Sequence, residues 1–164
     1  MLIVFLWLIF TVGLPITAIA QSLEPAKGQF RLLDTWNLGG DGFWDYLTMD
    51  TQNHTLYVAR FDRVMVVDTQ TRKLVAEISG LQHAHGIALD DKGQYGYITD
   101  GGANDVVVFD RMTNQITAKI ETWGKPDSIV FEPTQRRVFA FNGYTKNATV
   151  IDAGTNHVLA TVPL

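Results

Sequence analysis

Residues 95–110 read YGYITDGGANDVVVFD, two short β-rich runs on either side of a Gly-Gly turn, the second closed by an aspartate. A lone hairpin of this kind decides nothing, because two strands cannot bury a core of their own. What decides the fold is that the pattern returns. Val66-Val67-Asp68, Val108-Phe109-Asp110 and Val150-Ile151-Asp152 recur at a spacing of 42 residues. Thr71, Thr113 and Thr155 keep that spacing, as do Ala76, Ala118 and Ala160, then Ile78, Ile120 and Val162. Self-similarity at one such period marks an array of stacked supersecondary units.

Working outward from the quoted stretch, Ile87-Ala88-Leu89-Asp90 matches Ile129-Val130-Phe131-Glu132. Leu47-Thr48-Met49-Asp50 matches both after a two-residue shortening, where Arg60-Phe61-Asp62-Arg63 replaces the longer turn from Asp100 to Asp105. Leu32-Leu33-Asp34-Thr35-Trp36 lies 42 residues before Leu74-Val75-Ala76-Glu77-Ile78, so a strand over residues 30–38 is expected as the last quarter of a repeat. Within the second unit the alternation of β-rich runs and turn residues predicts strands near 86–89, 95–99, 105–109 and 116–120. Four strands in about 42 residues is the period of a propeller blade. The expected fold is therefore all-β, with four-stranded antiparallel blades near residues 44–80, 84–122 and 126–164 in an open arc, plus the one N-terminal outer strand. Asp68, Asp110 and Asp152 each stand three residues before a threonine, and their carboxylates are expected to cap the turn by accepting backbone N–H groups.

The second strands read Tyr57-Val58-Ala59-Arg60, Tyr97-Ile98-Thr99-Asp100 and Phe139-Ala140-Phe141-Asn142. Followed by the Val-Val-Asp, Thr and Ala-x-Ile tails, they resemble degenerate copies of the Tyr-Val-Thr-Asn motif of the YVTN-repeat, YncE-like β-propellers. The resemblance covers residues 29–164 and concerns the fold. It implies a seven-bladed ring, so that this chain is expected to be the N-terminal part of a longer protein. Because a fold does not fix an activity, the family does not supply one.

Residues 1–20, MLIVFLWLIFTVGLPITAIA, form an uncharged apolar run ending in Ala18-Ile19-Ala20, the small-x-small pattern that a signal peptidase accepts. Cleavage after Ala20 is expected, with residues 21–28 as a linker, a periplasmic or secreted location, and membrane contact only through the leader if it is uncleaved. The 164 residues contain no cysteine, which removes disulfides and thiolate chemistry from consideration. A net charge of −4 without a basic stripe gives no source for the counterion release that drives nucleic-acid binding, so no nucleic-acid partner is expected.

Registering the units puts Asp45, His85 and Asp127 at one equivalent slot, just before the first strand of each blade, with Trp44 and His83 beside them. In a propeller this slot borders the central channel. Either each residue caps its own loop or bonds a neighbouring blade's backbone, or Asp45, His85 and Asp127, with His83 and Trp44 beside them, converge over the channel on a metal, a water cluster, or a small-molecule or protein ligand. No metal or cofactor is assigned from two histidines at i and i+2. Asp62, Arg60 and Arg63 are read as solvated turn charges. The glycine pairs Gly39-Gly40 and Gly101-Gly102 precede no helix and so imply no phosphate cradle. No nucleophile signature is present, and no catalytic residue is assigned. The expected function is an exported binding scaffold. The alternative is a propeller enzyme of lactonase or quinoprotein-dehydrogenase type, whose ligands would have to come from four or more blades.

Overall fold

The computed structural model describes residues 30–164; the expected leader (1–20) and linker (21–28) lie outside the described residues. Residues 36–164 form one compact unit. It is built from β1 (Leu47–Asp50), β2 (Thr55–Asp68), β3 (Lys73–Leu89), β4 (Tyr95–Asp100), β5 (Asp105–Asp110), β6 (Ile116–Glu121), β7 (Pro126–Glu132), β8 (Arg137–Asn142), β9 (Asn147–Asp152) and β10 (Val158–Pro163). Every pairing is antiparallel between sequence neighbours, in the orders β1-β2-β3-β4-β5-β6 and β10-β9-β8-β7. Neither sheet closes on itself, and the described blades form an open arc.

The two longest strands are each two blade strands run together. Residues 55–58 of β2 pair with β1, whereas 63–68 pair with residues 73–79 of β3. The C-terminal part of β3 turns instead to β4, with Ala84 opposite Asp100 and Leu89 opposite Gly96. The shortened turn of the first unit explains the merger: it leaves Phe61 paired with Ala84, a bridge between successive blades that no longer turn interrupts. Three four-stranded blades result.

Both faces of a middle blade must be buried, so its strands read as continuous apolar runs rather than as alternations. Val107 and Phe109 of β5 pack into one core with Tyr57, Val64, Val66, Ile87 and Ile98, while Val106 and Val108 face another with Tyr97, Val138, Ala140 and Ile151. The same period of two puts Met65 and Val67 on the far side of the first blade, where Trp36 and Leu38 pack against them. Gly96 stands opposite Phe109 because the ring lies across it: a Cβ there would come 2.1 Å from the ring edge. The tyrosines of the repeat motif, Tyr57 and Tyr97, are buried, and burial pushes the Tyr97 phenol up to about 12.

The turn caps form as the residue types dictate. Asp68 accepts the amides of Gln70 and Thr71, Asp110 those of Met112 and Thr113, and Asp152 those of Gly154 and Thr155. Each turn closes on a residue in the left-handed region, Arg72, Asn114 or Asn156, whose amide donates to the aspartate's own carbonyl.

The strand expected over residues 30–38 does not form; residues 30–46 carry no ladder. In the repeat register this segment is the fourth strand of a unit whose other three strands are not among the described residues. A strand needs a ladder alongside it, and none of the described strands pairs with this segment.

Candidate functional site

Alternating strands bring the loops that lead into each blade to the same end as the turns joining second and third strands. Backbone hydrogen bonds clip the two together in every blade. The Asp45 amide donates to Ala59 (3.0 Å), the Gly101 amide to His83 (2.9 Å) and the Gly143 amide to Lys125 (3.0 Å). The motif residues Thr99-Asp100 then position the second loop from below. The fully buried Asp100 carboxylate accepts the amides of Gln82 (2.8 Å) and His83 (2.7 Å). Thr99 Oγ1 accepts the Gly86 amide at 2.8 Å and donates to the Asp127 carbonyl at 2.5 Å, tying the second blade to the third.

On this frame the side chains of the common slot meet one another. His85 Nδ1 lies 2.7 Å from Asp45 Oδ2 and 3.7 Å from Asp127 Oδ1, so one imidazole faces carboxylates from both neighbouring blades. One ligand atom from each of the three residues lies within 4.8 Å of the others. The ring is seated on bare backbone: a Cβ at Gly101 would stand 2.8 Å from His85 Nε2 and 3.1 Å from the Pro126 carbonyl. That seat turns Nδ1 toward the carboxylates. His85 is largely covered, while Asp127 keeps 59 % of its side-chain surface exposed.

His83 does not join the carboxylates. Its ring packs on that of His85 (4.2 Å between centroids) and on Phe61 (4.7 Å), and Phe61 meets Phe43 edge-on at 6.4 Å. Four rings thus run in contact from the first blade to the second. Burial, then the neighbouring His85 and Lys125, hold the His83 imidazole below its ordinary value, against the pull of Asp45 and Asp100. Trp44 stays 73 % exposed beside this array. A cleft lined by His85, Lys125, Asp127, Gly143 and Tyr144 opens next to it.

Phe61, Thr99, Gly101, Lys125 and Tyr144 are the residues that sequence reasoning missed. Lys125 and Gly143 carry a usable signal, since they stand 42 residues after His83 and Gly101. Phe61 carries none: the two-residue shortening of its turn puts it in the left-handed region (φ 57°), where a bulky residue is rare, and this aims its ring at His83.

Asp62 of that turn is exposed as expected, but its two arginines are engaged and not merely solvated. Arg60 donates to the carbonyls of Gly40 and Asp41 (both 3.0 Å) and Gly42 (3.2 Å), and Arg63, only 14 % exposed, donates to Asp41 (2.8 Å) and Glu77 (3.1 Å). Gly39, Gly40 and Gly42 all take positive φ to present those carbonyls. The arginines therefore pin the segment that carries Phe43, Trp44 and Asp45.

The opposite end of the strands is built differently. Arg111 is buried between Asp50, to which it is paired, and Asp90 (3.4 Å), and Arg136 of the third blade approaches Asp90 at 3.6 Å and pairs with Asp91. The Asp50 and Asp90 side chains are almost fully covered, and their charges are engaged by the two arginines that hold the blades together.

No family model matches the chain. Over 123 residues it is 29 % identical to the uncharacterised protein YncE of Salmonella typhimurium (strain LT2) and 28 % identical to the uncharacterised protein YncE of Salmonella typhi. Each alignment covers 70 % of this chain and 34 % of the relative, so the chain spans about a third of the length of the curated relatives it matches. Among solved structures, the hydrazine synthase of Kuenenia stuttgartiensis superposes with a TM-score of 0.70 at 19 % identity, covering 80 % of this chain and 39 % of that one. The WD40 repeats of RRP9 give 0.70 at 12 % identity, covering 77 % and 40 %. At these identities the structures speak for the fold alone. The chain is thus similar to YncE over part of that protein's length, and the solved structures share its β-propeller fold.

Proposed function

We propose that this YncE-like β-propeller chain is an exported scaffold that binds a small-molecule or protein ligand through the end of the blades carrying Trp44, Asp45, His83, His85 and Asp127. The observation that carries the reading is the unequal chemistry of the two ends. Phe43, Trp44, Phe61, Trp123 and Tyr144 are all exposed at the His85 end, interleaved with an imidazole pair, two carboxylates and Lys125. At the other end the turns are capped by their own aspartates, and Met112 is the large apolar side chain exposed in those turns among the described residues. Exposed aromatics around a few convergent polar groups are what a binding surface needs, since the rings supply contact area and the polar groups fix orientation. The apolar leader that ends in Ala18-Ile19-Ala20 supports export.

A fragment screen by backbone-amide NMR tests the binding half. Polar aromatic and anionic fragments should shift amides of residues 43–46, 82–86, 101–104, 123–127 and 143–146. Shifts confined to the opposite turns would overturn it. Sequencing the N-terminus of exported protein tests the other half: a start at Gln21 is expected, and a start at Met1 would contradict it.

A further inference from the structure

We propose that Asp45, His85 and Asp127 form a binding site for one divalent transition-metal ion of the zinc class, shared by three successive blades. Zinc takes imidazole nitrogen and carboxylate oxygen at about 2.0–2.2 Å, which places neighbouring ligand atoms about 3.0–3.5 Å apart. The separations of His85 Nδ1 from Asp45 Oδ2 and Asp127 Oδ1, 2.7 and 3.7 Å, bracket that range. The ion completes the set by drawing in the exposed Asp127 carboxylate, the one ligand free to rotate.

Preorganisation argues in the same direction. The His85 ring rests on Gly101, where any Cβ would intrude, and its backbone is held by the Gly86 amide on Thr99. Asp45 is clipped through its amide to Ala59, and Asp127 through its carbonyl to Thr99. With the backbone held at all three positions, only the Asp127 side chain has freedom to lose when the ion enters. One imidazole with two carboxylates suits zinc, cobalt, nickel or iron(II), and disfavours calcium, which prefers six to eight oxygens.

Three protein ligands leave a coordination position open, and it faces the cleft lined by Lys125, Gly143 and Tyr144. A water molecule or a small anion such as a carboxylate fits there, between the ion and the Lys125 ammonium. The ion needs only the three side chains, so its binding succeeds or fails separately from the binding of an organic partner to the same face.

The test uses the untagged chain, stripped with a chelator and titrated with cobalt(II) by visible absorption and with zinc(II) by calorimetry. One ion per chain is expected, with calcium(II) at the same concentration giving no heat. His85→Ala and Asp127→Asn should each weaken binding at least tenfold. His54→Ala and His157→Ala should leave it unchanged. If circular dichroism shows that His85→Ala is unfolded, Asp127→Asn decides alone, because that carboxylate is exposed. Cobalt or zinc binding that is absent in the unsubstituted chain, or that survives Asp127→Asn undiminished, overturns the proposal.

Discussion

Thr99 Oγ1 stands 2.5 Å from the Asp127 carbonyl oxygen, so a single buried hydroxyl spans the seam between the second and third blades directly beneath the candidate site. The same oxygen accepts the Gly86 amide. Thr99→Val keeps the shape and leaves both backbone groups buried without partners, a loss of about 1–3 kcal/mol. Thr99→Ser should recover most of it. Urea unfolding midpoints measure the difference, and a valine variant as stable as the parent would show that the seam does not depend on this bond.

The buried cation of the opposite end should matter more than any exposed ion pair. Arg111→Leu strands the Asp50 carboxylate and leaves Asp90 to Arg136 alone; the two acid side chains are 4 % and 0 % exposed. Removing one partner of a buried pair costs about 3–5 kcal/mol, and the lower end applies because the amides of Asn53 and Gln94 still bond the carboxylates. Arg111→Lys should fall between, since a lysine keeps the charge but cannot reach both acids with a fork. A loss below about 1 kcal/mol for Arg111→Leu would mean that water reaches the acids.

Stability should fall as the solution is acidified, through the turn caps. Asp68, Asp110 and Asp152 are held below their ordinary value of 3.8, chiefly by hydrogen bonds from Thr71, Thr113 and Thr155 respectively. Glu132 is held below 4.5 by the amides of Gln135 and Thr134. The folded state thus binds these protons less readily than the unfolded chain. The contribution is complete above the unfolded values and is lost as pH drops through the lowered folded ones. His83 adds the same sign nearer 6.5, because its folded imidazole also resists protonation. Unfolding midpoints between pH 7 and pH 3 should decline, and the combined Asp68→Asn, Asp110→Asn, Asp152→Asn variant should decline less steeply over the acid half. A slope unchanged by the three substitutions would refute the assignment.

The chain on its own should self-associate. Every residue of β10 is exposed, and Val158, Leu159 and Val162 present apolar side chains on a strand paired along one edge only. Such an edge is a template for another chain. Sedimentation velocity at micromolar concentration should show species larger than the monomer, and Leu159→Lys with Val162→Lys should shift the distribution back toward it. A monomer with one cooperative thermal transition would show that three blades suffice.

The sequence by itself determined the architecture, because a repeat written three times over carries each strand, turn and cap redundantly. The 42-residue spacing places Val108-Phe109-Asp110 and its copies at strand ends, and the strands expected at 95–99, 105–109 and 116–120 fall within a residue of β4, β5 and β6. Strand periodicity and turn chemistry are local, so they are legible one unit at a time. Repeat register also put Asp45, His85 and Asp127 at one slot. It could not say that their side chains meet, since that depends on how closely successive blades pack and on the Gly101 seat under the His85 ring. Nor could it place Phe61 on His83, pin the Gly40–Gly42 carbonyls with Arg60 or bury Arg111 between Asp50 and Asp90. The strand expected over 30–38 failed for the same reason: its pattern was local, but its hydrogen-bond partners had to come from elsewhere, and only the tertiary structure decides whether a neighbour is there.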